Sequence, residues 1–281
     1  MKKDFINHLE KKLNLKILAL NQLYGGSINQ AFKIKTKSRS YFIKINSDIN
    51  LFDLEEKGLA TLRSTNTFHI PEVIICNKFK ETYYLIMEFI EPDNQKNNFW
   101  KLFGQKLAAL HRNFEERFGL RYNNYIGSLP QKNTFHFDSL DFFINCRILP
   151  QVKILEKRLS INLSSDFNKF FKLLPNIIPL ETPSLLHGDL WNGNYLVNNN
   201  GEPTLIDPSI YYGSREVDIA MTKLFGGFPK EFYVSYNLEF PLIEKWEERV
   251  DIWNLYPLLV HANLFGDSYL KQIHSILTKY K

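Results

Sequence analysis

The feature that most constrains this chain is a change of hydrophobic period near residue 91. Before it, ILALNQLYGG, QAFKIKTK and RSYFIKIN read as three short β-type segments, parted by Gly25–Gly26 and the polar Ser38–Ser40 turn. LFDLEEKGLATLRS then turns to helical spacing, with Phe52, Glu55, Leu59 and Leu62 recurring at three and four. HIPEVIICN and ETYYLIMEFI return to strand character. After the polar, Pro-containing stretch EPDNQKNN, which suits a hinge, the long amphipathic patterns FWKLFGQKLAALHRNF and DFFINCRILPQVKILEKRL predict helices. A short helix over residues 2–12 precedes the whole array. The pattern predicts an α+β fold of two parts: residues 1–91, small and β-rich with one helix between the strands, and residues 92–281, larger and mainly helical.

The helical part is interrupted once, by HGDLWNGNYLVNNNGEPTLIDP, which reads as a hairpin of NYLV and PTLID around an Asn-rich turn. Asp and Asn in such clusters often bond only to nearby backbone. Here the order His187-Gly188-Asp189-Leu190 with Asn194 also matches the kinase catalytic loop, H-R-D-L-x-x-x-N. There the Asp faces the acceptor hydroxyl and the Asn oxygen reaches Mg²⁺. Asp207, in LIDP, closes the second strand where the metal-binding Asp of such enzymes stands. FIKI supplies Lys44 on a strand, and Glu55 (Glu56 as fallback) is its candidate carboxylate partner on the following helix. Gly25 and Gly26 form a glycine-rich turn able to present backbone N–H groups to phosphates. Each element alone has an ordinary reading as turn, cap or solvated face. All five in one order, on the elements that chemistry needs, predict a two-lobed protein-kinase-like fold with the nucleotide site in residues 1–91. The remaining residues, 92–281, then carry the catalytic loop, metal and acceptor site. Gly188 stands where a catalytic-loop Arg would meet a phosphorylated loop, Pro208 follows Asp207, and no A-P-E appears. A switchable activation loop is therefore not expected.

Bulk properties exclude several other classes. The 281 residues are 44% hydrophobic, enough for a sizeable core, and the net charge of +5 is spread along the chain rather than gathered into a nucleic-acid-binding patch. Cys76 and Cys146 are far apart and form no CxxC, so neither a disulfide framework nor a zinc site is expected, and both should be buried, reduced thiols. MKKDFINHLEKKLNL has no apolar core of a signal peptide, and no run approaches the ~20 apolar residues of a membrane span. The expectation is a soluble, cytoplasmic protein without membrane or nucleic-acid partners.

GGSINQAFKI, YIGSLPQKN, FFINCRILPQ, LLHGDLWNGN, LIDPSIYYG, REVDIAMTKLFGGFP and HANLFG together resemble the fructosamine kinase, or ketosamine-3-kinase, family, a branch of the aminoglycoside-phosphotransferase-like kinases. The resemblance implies ATP-dependent, Mg²⁺-assisted phosphorylation of a sugar hydroxyl (O3) on a ketosamine, free or protein-bound. The 3-phosphate then decomposes and frees the amine. Carried over, it makes Asp189 the base and Asn194 and Asp207 the metal ligands. Lys44, held by Glu55, becomes the phosphate contact, and Gly25 and Gly26 the phosphate cover. In MEFI, Met87 would abut the adenine pocket and Glu88, Phe89 and Ile90 would offer hinge backbone groups to the base. Trp191 is a candidate acceptor contact or a loop support, and His261 lines the acceptor pocket or packs its helix. Ser214, Val260, Phe135 and Ser139 depart from the family pattern. They leave open another small-molecule kinase of the same superfamily or, less in keeping with intact Lys44, Asp189, Asn194 and Asp207, a silent nucleotide-binding module.

Overall fold

A computed structural model of the chain describes residues 3–24, 29–46 and 49–280. The molecule divides into two compact units: Met1–Asn97 with Leu196–Asp207, and Asn98–Tyr195 with Pro208–Lys281. Linear reading placed a boundary at 91/92. The structure moves it to Asn97/Asn98 and gives residues 196–207 to the first unit, because backbone bonds hold that hairpin there. Asp93 N–H donates to Val197 O, Lys96 N–H to Gly201 O, and Leu205 N–H to His69 O.

The first unit is built on a five-stranded antiparallel sheet. Its strands are β1 (Ile17–Leu23), β2 (Gln30–Thr36), β3 (Ser40–Asn46), β4 (Val73–Phe79) and β5 (Thr82–Glu88), in the order β1-β2-β3-β5-β4. Alternation along a strand sends successive side chains to opposite faces. Tyr41 and Ile43 of β3 and Tyr84 and Ile86 of β5 point to one face, where Phe5 and Leu9 of helix α1 (Lys3–Leu13) close a buried cluster. Lys44 has the opposite parity, and its side chain meets Glu55 of helix α2 (Ile49–Ser64). Phe52, Leu59 and Leu62 bury the inner stripe of α2. Strands β9 (Tyr195–Val197) and β10 (Pro203–Leu205) form the expected hairpin. Its turn is tied by the Asn198 carboxamide oxygen, which accepts from Asn200 N–H and Glu202 N–H.

The second unit is mainly helical, with two short strand pairs that the sequence pattern did not reveal. They are β6 (Asn124–Ile126) with β7 (Leu129–Gln131), and β8 (Ser184–Leu186) with β11 (Tyr211–Gly213). Three residues are too few to display a period. Helices α4 (Ser139–Phe142), α5 (Leu149–Leu159), α6 (Ser164–Phe171), α7 (Glu216–Lys223), α9 (Trp246–Phe265) and α10 (Leu270–Lys279) contribute to a core that includes Ile148, Val152, Ile252 and Leu259, while α3 (Phe99–Leu110) and α8 (Lys230–Glu239) pack against each other. The predicted helix of DFFINCRILPQVKILEKRL runs from Ser139 to Leu159 but widens into a π-turn over Phe143–Ile148. Pro150 lacks the N–H that Cys146 O would accept in a regular α-helix, and the Arg147 guanidinium donates to that carbonyl instead, at 3.0 Å.

Helices α3 and α8 approach so closely that a Cβ at Gly104 would lie 2.4 Å from Phe232 O and 2.8 Å from Tyr236 N. Gly104→Ala gains roughly 1 kcal/mol of helix propensity, yet overpacking against backbone costs about 1–3 kcal/mol. The expected outcome is a net loss of stability in urea titration. A midpoint equal to or above that of the parent protein would contradict the close packing.

Cys146 is buried, but Cys76 is only partly so, which corrects the expectation for that thiol. Burial and the Asp53 carboxylate, to which Cys76 Sγ donates at 3.4 Å, push the Cys76 thiol up to about 12, far from an activated thiolate. Among the described residues no helix is long and apolar enough to cross a membrane.

Candidate active site

In the first unit, the Lys44 ammonium donates to Glu55 Oε1 at 2.6 Å and also to Asp207 Oδ1. The Lys44 side chain is 8% exposed and that of Asp207 45%, so the lysine is withdrawn while the aspartate keeps an open flank. Burial works to lower the Lys44 pKa, but Asp207 and Glu55 outweigh it and hold the ammonium charged well beyond its usual range. Burial raises the Glu55 pKa, and Lys44 opposes that shift. Asp207 has φ 53°, a left-handed conformation uncommon for a residue with a side chain. The Glu55 partner was legible from helix spacing. The direct bond to Asp207, 163 residues away, was not.

In the second unit, the loop after β8 is held from beneath by a buried carboxylate. Asp218 accepts from His187 N–H at 2.7 Å and Gly188 N–H at 2.9 Å. His111 Nε2 lies 3.2 Å from Asp218 Oδ2, and His111 Nδ1 lies 2.8 Å from the Tyr236 hydroxyl. Burial lowers the His111 pKa against the pull of Asp218, so the ring is neutral at pH 7, donating to the carboxylate and accepting from the tyrosine. Asp218, in REVDIAM, therefore braces this loop from helix α7. His111 was missed. It ends a helix as any polar residue can, and only the fold brings it to Asp218. The same motif supplies two more buried charges with definite partners: Arg215 pairs with Glu181 at 2.8 Å, and Glu216 pairs with Arg249 at 2.6 Å.

On the loop itself, Asn194 Nδ2 donates to the Asp189 carbonyl and to Asp189 Oδ2, both at 2.8 Å. The amide therefore turns its nitrogen toward Asp189, leaving Oδ1 to face elsewhere. Gly188 has φ 80°, and Ser209 N–H donates to His187 O at 2.9 Å. The segment after Asp207 thus lies directly against the position that carries Arg in other kinase loops. Hard oxygens of Asn194 and Asp207 are the donor types Mg²⁺ takes alongside water and phosphate.

Trp191 and His261 belong to one aromatic cluster, joined by Phe225. The Trp191 ring centroid is 5.8 Å from Phe225, and Phe225 is 4.6 Å from His261. His261 Nδ1 donates to Pro257 O at 2.7 Å, and burial lowers its pKa. Phe225, at φ 55°, precedes two positive-φ glycines, Gly226 and Gly227, in a strained turn that LFGGFP hints at but whose contact with Trp191 it does not reveal. Of the four departures, Ser139, Ser214 and Val260 are buried, and Phe135 lies under the Arg117 guanidinium at 4.2 Å.

Met87 is buried at the end of β5, and Phe89 and Ile90 follow the strand. Glu88 N–H already donates to Glu72 O at 2.8 Å. That N–H is therefore engaged within the first unit. Gly25 and Gly26 lie outside the described residues.

The family model described as "Fructosamine kinase" matches residues 1–281. A "Probable ketoamine kinase" of Enterococcus faecium is 38% identical over 275 residues, spanning 96% of this chain and 96% of its own. The crystal structure of a "Putative fructosamine-3-kinase" from Haemophilus somnus superposes with a TM-score of 0.89 at 27% identity, covering 98% of this chain and 96% of that one. A thermostable mutant of aminoglycoside phosphotransferase APH(4)-Ia, in ternary complex with AMP-PNP and hygromycin B, reaches a TM-score of 0.67 at 16% identity, with 98% of each chain covered. That likeness concerns the fold, which is the protein-kinase-like one.

Proposed function

The chain belongs to the fructosamine kinase family, and we propose on that footing that it transfers the γ-phosphoryl group of ATP to the O3 hydroxyl of a ketosamine. The observation that carries this reading is the family match over the whole chain, joined to a loop in which Asp189 keeps a carboxylate oxygen beside the Asn194 amide.

Phosphoryl transfer asks for positioning and charge stabilisation more than for covalent chemistry. In this reading Lys44, fixed by Glu55, presents its ammonium to the α- and β-phosphates. The backbone beyond Glu88 N–H receives the adenine. Asp189 orients the sugar hydroxyl and accepts its proton as charge moves onto the phosphoryl group, which needs no large pKa change. Asn194 Oδ1 and the Asp207 carboxylate would hold Mg²⁺. Bound there, the ion neutralises phosphate charge. Trp191, with Phe225 behind it, offers an aromatic face to the sugar ring. The product is a ketosamine 3-phosphate, whose breakdown releases the amine.

The test is ATP consumption against a panel of ribulosamines, fructosamines, choline and aminoglycosides, with ³¹P NMR to locate the new phosphate. Turnover with a ketosamine and phosphate at O3 is expected. Turnover confined to choline or an aminoglycoside would overturn the acceptor assignment, and nucleotide binding without any turnover would favour a silent module.

A further inference from the structure

The stretches YIGSLPQKN and FFINCR do no chemistry in this reaction, yet their polar side chains meet in one buried network. Gln131, Asn124, Asn133 and Arg147 are each at most 6% exposed. The Gln131 amide donates to Ser209 O at 3.0 Å and to Asn124 Oδ1 at 2.9 Å, and its oxygen accepts from the Tyr256 hydroxyl at 2.8 Å. Asn124 Nδ2 in turn donates to Ile210 O at 2.9 Å. Arg147 donates to Asn133 Oδ1 at 2.8 Å and lays its guanidinium 3.8 Å from the Tyr211 ring centre. Three consecutive residues, Ser209, Ile210 and Tyr211, are thereby each gripped by a side chain from the same network.

These residues immediately follow Asp207 and Pro208. From Ile206 to Ile210 the chain belongs to no strand or helix, so no ladder fixes it. Asp207 nevertheless holds a left-handed φ, which persists only where the surroundings over-determine the backbone. The Gln131 and Asn124 amides hold the residues just after it, satisfying the buried Ser209 and Ile210 carbonyls. Ser209 N–H bonded to His187 O carries the same constraint into the catalytic loop.

We propose that Gln131, backed by Asn124, Asn133 and Arg147, is a positioning residue for Asp207: a permanent brace in the place where a switchable kinase would have a movable segment. The inference rests on Asp207 being a metal ligand. The experiment compares Gln131→Met, which keeps length and removes every polar contact, with Tyr256→Phe, which removes only the bond to the Gln131 oxygen. ADP affinity is measured by calorimetry with Mg²⁺ and with EDTA, alongside the Mg²⁺ concentration for half-maximal ATP consumption.

Gln131→Met should raise the half-maximal Mg²⁺ concentration and lower kcat, each by ~10-fold or more, through misplacement of the metal site. ADP affinity in EDTA should be unchanged. Tyr256→Phe should move the Mg²⁺ requirement in the same direction by about 3-fold, as the loss of one hydrogen bond allows. Parental Mg²⁺ dependence in Gln131→Met, assayed well below its melting temperature, would overturn the proposal. So would equal losses of ADP affinity with and without Mg²⁺. If Gln131→Met does not fold, parental Mg²⁺ dependence in Tyr256→Phe overturns it. A parent protein whose nucleotide binding and turnover ignore Mg²⁺ removes the metal reading itself, and that result appears before any variant is made.

Discussion

Asp189→Ala is expected to lower ketosamine turnover by at least ~10²-fold, within the ~10²–10⁴-fold range typical of a positioned general base. Its ATP affinity should stay near the parent value, because Lys44, Glu55 and Asp207 bond to one another within the first unit. The loop should survive the change. Asn194 keeps its bond to the Asp189 carbonyl when the carboxylate is gone, and Asp218 still holds His187 N–H and Gly188 N–H. The loss should therefore lie in kcat, with little change in the urea midpoint. Steady-state kinetics beside ATP titration decides it: near-parental kcat would remove Asp189 from the base's role.

Gly188→Ala should be damaging for a different reason. A Cβ there would sit 2.1 Å from Ser209 O and 2.8 Å from Ser209 C, both backbone atoms that cannot swing aside, and φ is 80°. Overpacking of about 1–3 kcal/mol and left-handed strain of about 1–2 kcal/mol act together, so a loss of roughly 2–5 kcal/mol is expected. Displacing Ser209 also breaks its bond to His187 O, so activity should fall in the fraction that still folds. Gly226→Ala separates the two causes. Its φ of 105° is also unfavourable to a side chain, but the nearest atom to its Cβ is 3.6 Å away, so it should cost only the backbone strain. Equal losses at both glycines by equilibrium denaturation would show that the contact with Ser209 contributes nothing.

That pair of glycines marks how far the sequence could be read. Gly188 was visible as a departure from the Arg of a kinase catalytic loop, and the lack of a switchable segment was inferred from it and from Pro208. The close approach of Ser209, which requires glycine there, was not visible. The Lys44–Glu55 pair was legible because FIKI follows the pattern of the kinase strand that carries such a lysine, and helical spacing sets Glu55 between the apolar Phe52 and Leu59. Strands β1–β5 were legible from their alternation, and the β9–β10 hairpin from the Asn-rich turn that joins its short strands. The strand pairs β6–β7 and β8–β11 were not, since three residues carry no period. Cys76 looked like a core thiol by residue type, yet strand β4 leaves it partly exposed beside Asp53.

The sequence by itself determined the fold class, the longer elements and which residues stand where kinase chemistry would need them. Those properties reside in short-range periodicity and in residue types standing in a fixed order. The tertiary structure alone decided which buried groups answer one another. Asp218 beneath His187 and Gly188, His111 behind Asp218, Gln131 on Ser209 and Phe225 between Trp191 and His261 all join segments tens of residues apart or more. A hydrogen bond or ring contact needs atoms brought within a few ångströms. Only the packing of the whole chain sets that distance, and no local spacing records it.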